Sequence, residues 1–331
     1  MIRFGLLGCG RIGQVHARSL SRFPGAVLTV VADAVPEAAQ ALAAAHNAQV
    51  LEASALIASP DVDAVIIGTP TTLHYDQIHA AAAAGKAIFC EKPIDLSSAR
   101  VRACIDAVEK AGVPFLTAFN RRFDPNFAAL EQRLRAREIG EVETVLITSR
   151  DPAPPPIGYI RTSGGIFRDM MIHDFDMARF LLGEEPVEVF ASGSALVDPE
   201  IGAAGDVDTA AAILRTETGK ICQISNSRRA SYGYDQRIEV HGATGMLSAA
   251  NMLENTVERA GPGGFTRAPN MHFFLERYEQ AYIRELDHFV TALSEGKPPS
   301  PGAQDGLRAQ LIADAAAKSL EEGMPIRIDA E

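Results

Sequence analysis

The chain is short of several things that would assign it to a class at once. Only four of its 331 residues are cysteine, Cys9, Cys90, Cys104 and Cys222. None is spaced as a CxxC pair, so neither a zinc site nor a redox dithiol is indicated; reduced, buried thiols in a cytoplasmic protein are expected. Positive charge is scarce too: 31 Lys and Arg stand against 42 Asp and Glu, a net charge of −11 with a pI near 5.3. An acidic surface repels phosphate backbones and anionic headgroups, which argues against nucleic acid or membrane partners and favours a small molecule. No apolar run approaches the roughly eighteen residues of a membrane span, and no basic stretch followed by an apolar core opens the chain. No internal repeat is visible. With 47% hydrophobic residues and dispersed Gly and Pro, the composition is that of a globular protein, and 331 residues suffice for two domains.

What is present begins with Ile2–Leu7, an apolar run without alternation, as in a strand buried on both faces of a parallel sheet. Gly8-Cys9-Gly10-Arg11-Ile12-Gly13 follows and opens a helical pattern over 14–22. Gly8 permits the turn, Gly10 lets backbone approach a pyrophosphate, and Gly13 lets helix pack on strand, while the amides opening the helix at Arg11 and Ile12 are offered to phosphate. The next strand, 27–32, ends in Asp33, twenty residues after Gly13, where a dinucleotide fingerprint needs a carboxylate for the adenosine ribose. Ala34 and Val35 follow rather than Arg or Ser, so NAD is expected in preference to NADP.

Helix and strand then alternate: helices over 36–46 and 53–59, a strand over 64–68, a helix over 74–84, a strand over 87–90, a helix to Lys110, and a further strand over 114–119. This predicts a doubly wound parallel sheet of the Rossmann type. Ligands bind at the carboxyl ends of such strands, so Thr69, Pro70 and His74 are candidates to touch the cofactor, with His74 equally readable as a structural cap. Glu91-Lys92-Pro93 ends a buried strand in the same way. There the Lys92 ammonium would stand beside the nicotinamide and polarise an oxygen; a surface lysine is the plainer alternative.

After Asn120-Arg121-Arg122-Phe123-Asp124 the rhythm changes. A helix over 125–138 precedes extended segments at 141–150, 186–197, 207–216, 220–229 and 237–242, which predicts a mostly antiparallel, open-faced sheet with one face available for assembly. Asp151 opens a stiff DPAPPP connection, followed by SGGIFRDMMIHDFDMARF from Ser163. If this is helical from Phe167, Asp169, His173 and Asp176 share a stripe beside Met171, Phe175, Ala178 and Leu182, like the wall of a cleft. A surface helix with a capping Asp and a bonded histidine is the alternative reading. No further His or Cys cluster completes a metal site, and none is expected. Amphipathic helices over 276–293 and 307–320 and a strand over 325–328 close the chain. The expected domains are 1–120, binding NAD, and 121–331, an α+β domain for substrate and assembly whose C-terminal helix can pack back on the first.

GCGRIG, Asp33, EKP and GGIFRDMMIHDFD, in that order, resemble the Gfo/Idh/MocA oxidoreductase family, and the likeness extends to NRRFD, SRDP and SYGYDQR. The resemblance implies a homotetramer assembled through the sheet. It also gives Lys92, Asp169 and His173 the positions of the family's catalytic lysine, aspartate and histidine. The implied reaction oxidises a secondary hydroxyl of a cyclic polyol to a ketone, with NAD taking the hydride. His173 would accept the proton, Lys92 would bond the oxygen as alkoxide character grows, and Asp169 would orient the ring and pair with Lys92. Asn120, Arg121, Asp151 and Tyr234 are the implied further polyol contacts, with Tyr232 a competitor. Myo-inositol is the leading substrate. The rivals are another inositol isomer or a sugar, NAD-assisted glycoside cleavage on the same scaffold, and an NAD-binding sensor without catalysis.

Overall fold

The computed structural model describes residues 1–329. The chain forms two compact units: Met1–Phe123 with Gln280–Gln310, and Asp124–Glu279 with the described residues from Leu311 onward. Gln280–Gln310, expected in the second domain, therefore clusters with the first. No described helix is long and apolar enough to cross a membrane.

The first unit holds a six-stranded parallel sheet of β1 (Ile2–Leu7), β2 (Ala26–Ala32), β3 (Gln49–Val50), β4 (Ala64–Ile67), β5 (Ala87–Glu91) and β6 (Phe115–Ala118), in the order β3-β2-β1-β4-β5-β6. Every residue of β4 is buried, as the unalternating run Ala-Val-Ile-Ile requires of a strand covered on both faces. β3, two exposed residues at the sheet edge, carries no apolar signature, and it is the strand the sequence reading left unplaced. The returning helix Glu279–Glu295 explains why its segment joins this unit. Leu286, Phe289 and Val290, at helical spacing, enter the core, where Phe289 stands 6.2 Å from Phe4 and 5.6 Å from Phe89 between ring centroids.

The second unit is built on β7 (Val142–Arg150), β8 (Pro186–Ser194), β9 (Thr209–Thr216), β10 (Ile221–Ser227), β11 (Asp235–Gly242), β12 (Gly245–Ala249) and, from the chain's end, β15 (Ile326–Arg327). Their order is β12-β11-β7-β10-β9-β8-β15, and β7 with β10 is the parallel pair in an otherwise antiparallel sheet. A separate hairpin, β13 (Glu258–Gly261) and β14 (Gly264–Arg267), is exposed throughout. Alternation buries one face of the large sheet, on which the helix Ile172–Leu182 packs against β7 and β10. Across the other face, Phe190, Ile213, Gln223, Leu146 and Glu239 lie in register on five adjacent strands.

The helix expected to run unbroken from Phe167 is two helices, Gly165–Asp169 and Ile172–Leu182. The Met171 amide reaches back five residues to the Ile166 carbonyl, and the Asp174 amide only three to Met171. Helical register is lost between them, and both Met170 and Met171 are buried at the break. Asp169 therefore ends one helix and His173 begins the next, so the two share a turn and not a helical stripe.

Candidate active site

In the first unit the cofactor candidates gather at the carboxyl ends of four neighbouring strands, β2, β1, β4 and β5. The chain leaves β1 at Gly8, whose φ of 93° and closeness to β4 both need glycine: a Cβ there would stand 2.5 Å from the Gly68 carbonyl oxygen. A Cβ on Gly13 would collide with the Gly8 carbonyl, which locks the helix Arg11–Leu20 onto the turn. Above Gly10, by contrast, a Cβ would meet nothing within 4 Å. That open approach lies at a helix N-terminus whose first amides, at Arg11 and Ile12, have no earlier turn to bond to. Asp33 is held at the end of β2 by the Cys9 amide at 2.6 Å and the Val35 amide at 2.7 Å. Open backbone for a pyrophosphate beside a fixed carboxylate for a ribose diol is a set that fits NAD.

Thr69 donates its hydroxyl to Gln77 at 2.7 Å. His74 is buried, with Nδ1 3.0 Å from the Pro93 carbonyl oxygen and Nε2 2.9 Å from that of Thr69. Burial holds its pKa below the ordinary value, against the opposing pull of the two carbonyls and of Glu91 and Asp95. Of its two readings, the geometry is that of an internal tie, joining the loop that carries Thr69 and Pro70 to the loop that carries Lys92. Glu91 turns inward as well: Oε2 accepts the Lys92 amide at 3.3 Å, and Oε1 lies 2.7 Å from His16 Nε2. His16 is fully buried against Phe89 and Tyr282. Asn120 and Arg121 are buried in the turn Asn120–Phe123 after β6.

In the second unit, Asp169 is gripped from two sides. Arg228 places Nη1 and Nη2 each 3.2 Å from Oδ2, and the Tyr159 hydroxyl donates to Oδ1 at 2.7 Å. Four residues on, His173 opens the helix Ile172–Leu182, and the next residue anchors that helix to the sheet. Asp174 is buried, accepting from Ser149 Oγ at 2.6 Å and Asn226 Nδ2 at 2.9 Å. Asp176 is buried beside Arg179 at 3.4 Å, an internal ion pair. Asp151 follows β7 with its amide on the Ser227 carbonyl at 2.9 Å. Tyr234 is buried edge-on to Phe273 and Tyr278. Tyr232 is exposed, and its hydroxyl accepts from Arg150 at 2.9 Å while donating to Asp235 at 2.7 Å.

Arg228, Tyr159, Asp174 and His16 were not singled out from the sequence. For Arg228 a signal existed: Cys222, Ile224, Asn226 and Arg228 follow period two on a buried face, and an arginine at an inward strand position demands a carboxylate. Nothing comparable marked Tyr159 or His16.

Comparison with known proteins extends the geometry to the whole chain. Residues 2–119 match the model described as the oxidoreductase family with an NAD-binding Rossmann fold, and 127–248 match the Gfo/Idh/MocA C-terminal domain. An inositol 2-dehydrogenase from Rhizobium meliloti (strain 1021) is 53% identical over 99% of both chains. A myo-inositol 2-dehydrogenase from Thermotoga maritima is 46% identical over 99% of both. Among solved structures, the myo-inositol dehydrogenase of Lactobacillus casei in complex with NAD(H) and myo-inositol superposes with a TM-score of 0.89 at 26% identity, covering 100% of this chain and 98% of that one. By the match of both domain models and by identity along its full length, this chain belongs to the Gfo/Idh/MocA oxidoreductase family.

Proposed function

We propose that this protein is an NAD-dependent inositol 2-dehydrogenase, oxidising a secondary hydroxyl of myo-inositol to the ketone. The observation that carries the reading is the polar turn from Asp169 to His173 in a chain matched over 99% of its length by inositol 2-dehydrogenases. Bound NAD supplies the acceptor for the hydride that leaves the carbinol carbon. Gly8, Gly10, Gly13 and the amides of Arg11 and Ile12 hold its pyrophosphate, and Asp33 its adenosine ribose.

His173 accepts the hydroxyl proton as the C–H bond breaks, a task suited to a side chain that ordinarily titrates near neutrality. Lys92 donates to the same oxygen as negative charge grows on it. Asp169 accepts from a neighbouring hydroxyl and fixes the face the ring presents. Asn120, Arg121 and Asp151 serve the remaining hydroxyls. Tyr234 is preferred as their companion, because the hydroxyl of Tyr232 is already engaged in both directions.

We further assign the protein to the cytoplasm as a homotetramer assembled through the bare sheet face. The support for assembly is the apolar row Leu146, Ile213 and Phe190, 44%, 48% and 38% exposed and in register across strands joined by hydrogen bonds. A screen of cyclitols and aldoses for NAD reduction tests the substrate. Myo-inositol is expected to be among the fastest, and release of a free leaving group from a glycoside without net NADH would overturn the reading.

A further inference from the structure

We infer that Arg228 is a positioning residue for this oxidation: its guanidinium, buried between two carboxylates, holds Asp169 in place at the end of the helix Gly165–Asp169. The inference rests on the dehydrogenase reading and deepens it at one side chain.

Arg228 is 1% exposed. Besides the two N–H groups aimed at Asp169 Oδ2, its Nη2 lies 3.8 Å from Asp206 Oδ2. Asp206 reaches the other end of the same helix, where Oδ1 accepts the Ile166 amide at 3.0 Å. One guanidinium thus links the acid at the start of the helix to the acid at its end. Five residues are too few for a helix to hold itself, so this clamp sets where Asp169 stands. The backbone is shaped to admit it: Gly164 and Gly165 have φ of 88° and 83°, and a Cβ on Gly165 would come within 2.9 Å of Asp206 Oδ1.

The two oxygens of Asp169 are unequal. Oδ2 is given to the buried Arg228, whereas Oδ1 accepts from Tyr159, which is 49% exposed and so stands on the side open to a ligand. With Oδ2 held by Arg228 and Oδ1 by Tyr159, the plane of the carboxylate is set from both sides. Stability alone is a weak reason for such an arrangement, because a buried ion triad adds little over well-packed apolar residues; its effect lies in fixed geometry. Lysine would not substitute, since a single ammonium cannot set two donors on Oδ2 and still face Asp206.

The test compares Arg228→Gln, Arg228→Lys, Tyr159→Phe and Asp169→Asn in the full-length protein, measuring turnover, KM for myo-inositol and the dissociation constant of NAD. Arg228→Gln should lower kcat about a hundredfold, the scale of an ångström's misplacement, with NAD affinity within about twofold of the parent. Arg228→Lys should recover about tenfold of that loss by keeping the charge without the two-pronged grip. A folded Arg228→Gln variant turning over within about threefold of the parent would overturn the inference, as would loss of NAD affinity in proportion to turnover. If the glutamine variant does not fold, Arg228→Lys carries the same test, and parental kcat there overturns the inference equally. Tyr159→Phe, on the exposed side, should raise KM about tenfold with a smaller change in kcat, and an unchanged KM would refute fixation from both sides. Asp169→Asn separates the two levels. If it is fully active, the role of Asp169 in the dehydrogenase reading fails; if it is inactive while Arg228→Gln is normal, only the inference about Arg228 fails.

Discussion

Four thiols illustrate how far burial alone controls a side chain. Burial, helped by the charge of Asp33, pushes Cys9 up to about 11, and burial together with Asp95 pushes Cys104 up to about 12. Cys90 and Cys222 are raised too, chiefly by complete burial. A raised thiol pKa means that the nucleophilic thiolate is absent at mildly alkaline pH. A disulfide-exchange reagent at neutral or mildly alkaline pH should therefore find no fast-reacting thiol in the native protein and all four cysteines after denaturation. One equivalent of rapid native reaction would show that a thiol stands where the structure does not put it. The glycine motif and Asp33 were legible in the sequence because their demands are local and concern backbone: a turn, a close approach, a strand end. His16 and Arg228 were not, because what defines them is a partner 75 and 59 residues away. No local pattern encodes that distance.

Loops between the strands show the same rule at the next scale. Asp208 gathers the amides of Leu196, Val197 and Asp198 at 2.8, 2.9 and 2.9 Å, with the Thr209 hydroxyl at 2.9 Å, and so ties the chain that leaves β8 to the start of β9. Burial works to raise its pKa, but the donors outweigh it and hold the carboxyl below its ordinary value. A depressed carboxylate contributes stability that is present above its unfolded pKa of about 3.9 and is lost as pH falls toward the folded value. Asp208→Ala, which strands several of those donors, should cost about 1–3 kcal/mol at neutral pH. The gap between variant and parent should narrow as a series of denaturant melts is taken to acid, and a gap independent of pH would contradict the ionised clip. Apolar runs made the central strands readable. β12 was missed because its two-residue turn, Ala243-Thr244, has neither the Asn nor the Gly that marks such turns. The helix break at Met170–Met171 was missed because methionines do not interrupt a helical pattern; their burial does.

At the scale of the whole molecule, periodicity identifies which face of an element is buried but not what buries it. The sequence predicts an amphipathic helix over 276–293, and the structure shows what its apolar side, Leu286, Phe289 and Val290, covers: the core around Phe4 and Phe89. The bare sheet face poses the same question in reverse, and assembly is its proposed answer. Ile213→Glu puts a charge in the middle of the apolar row and should reduce a tetramer to smaller species by light scattering after gel filtration, without loss of secondary structure. A parental mass for this variant would count against assembly through that face. The proposed oxidation is tested by one assay: following reduced nicotinamide on mixing the protein with NAD and myo-inositol, for the parent and for His173→Ala. The parent should give NADH and ketone in equal amounts, and the variant should turn over about a hundredfold or more slowly while it still binds NAD. Parental turnover in His173→Ala, or no NADH from the parent with any cyclitol, would contradict the proposal.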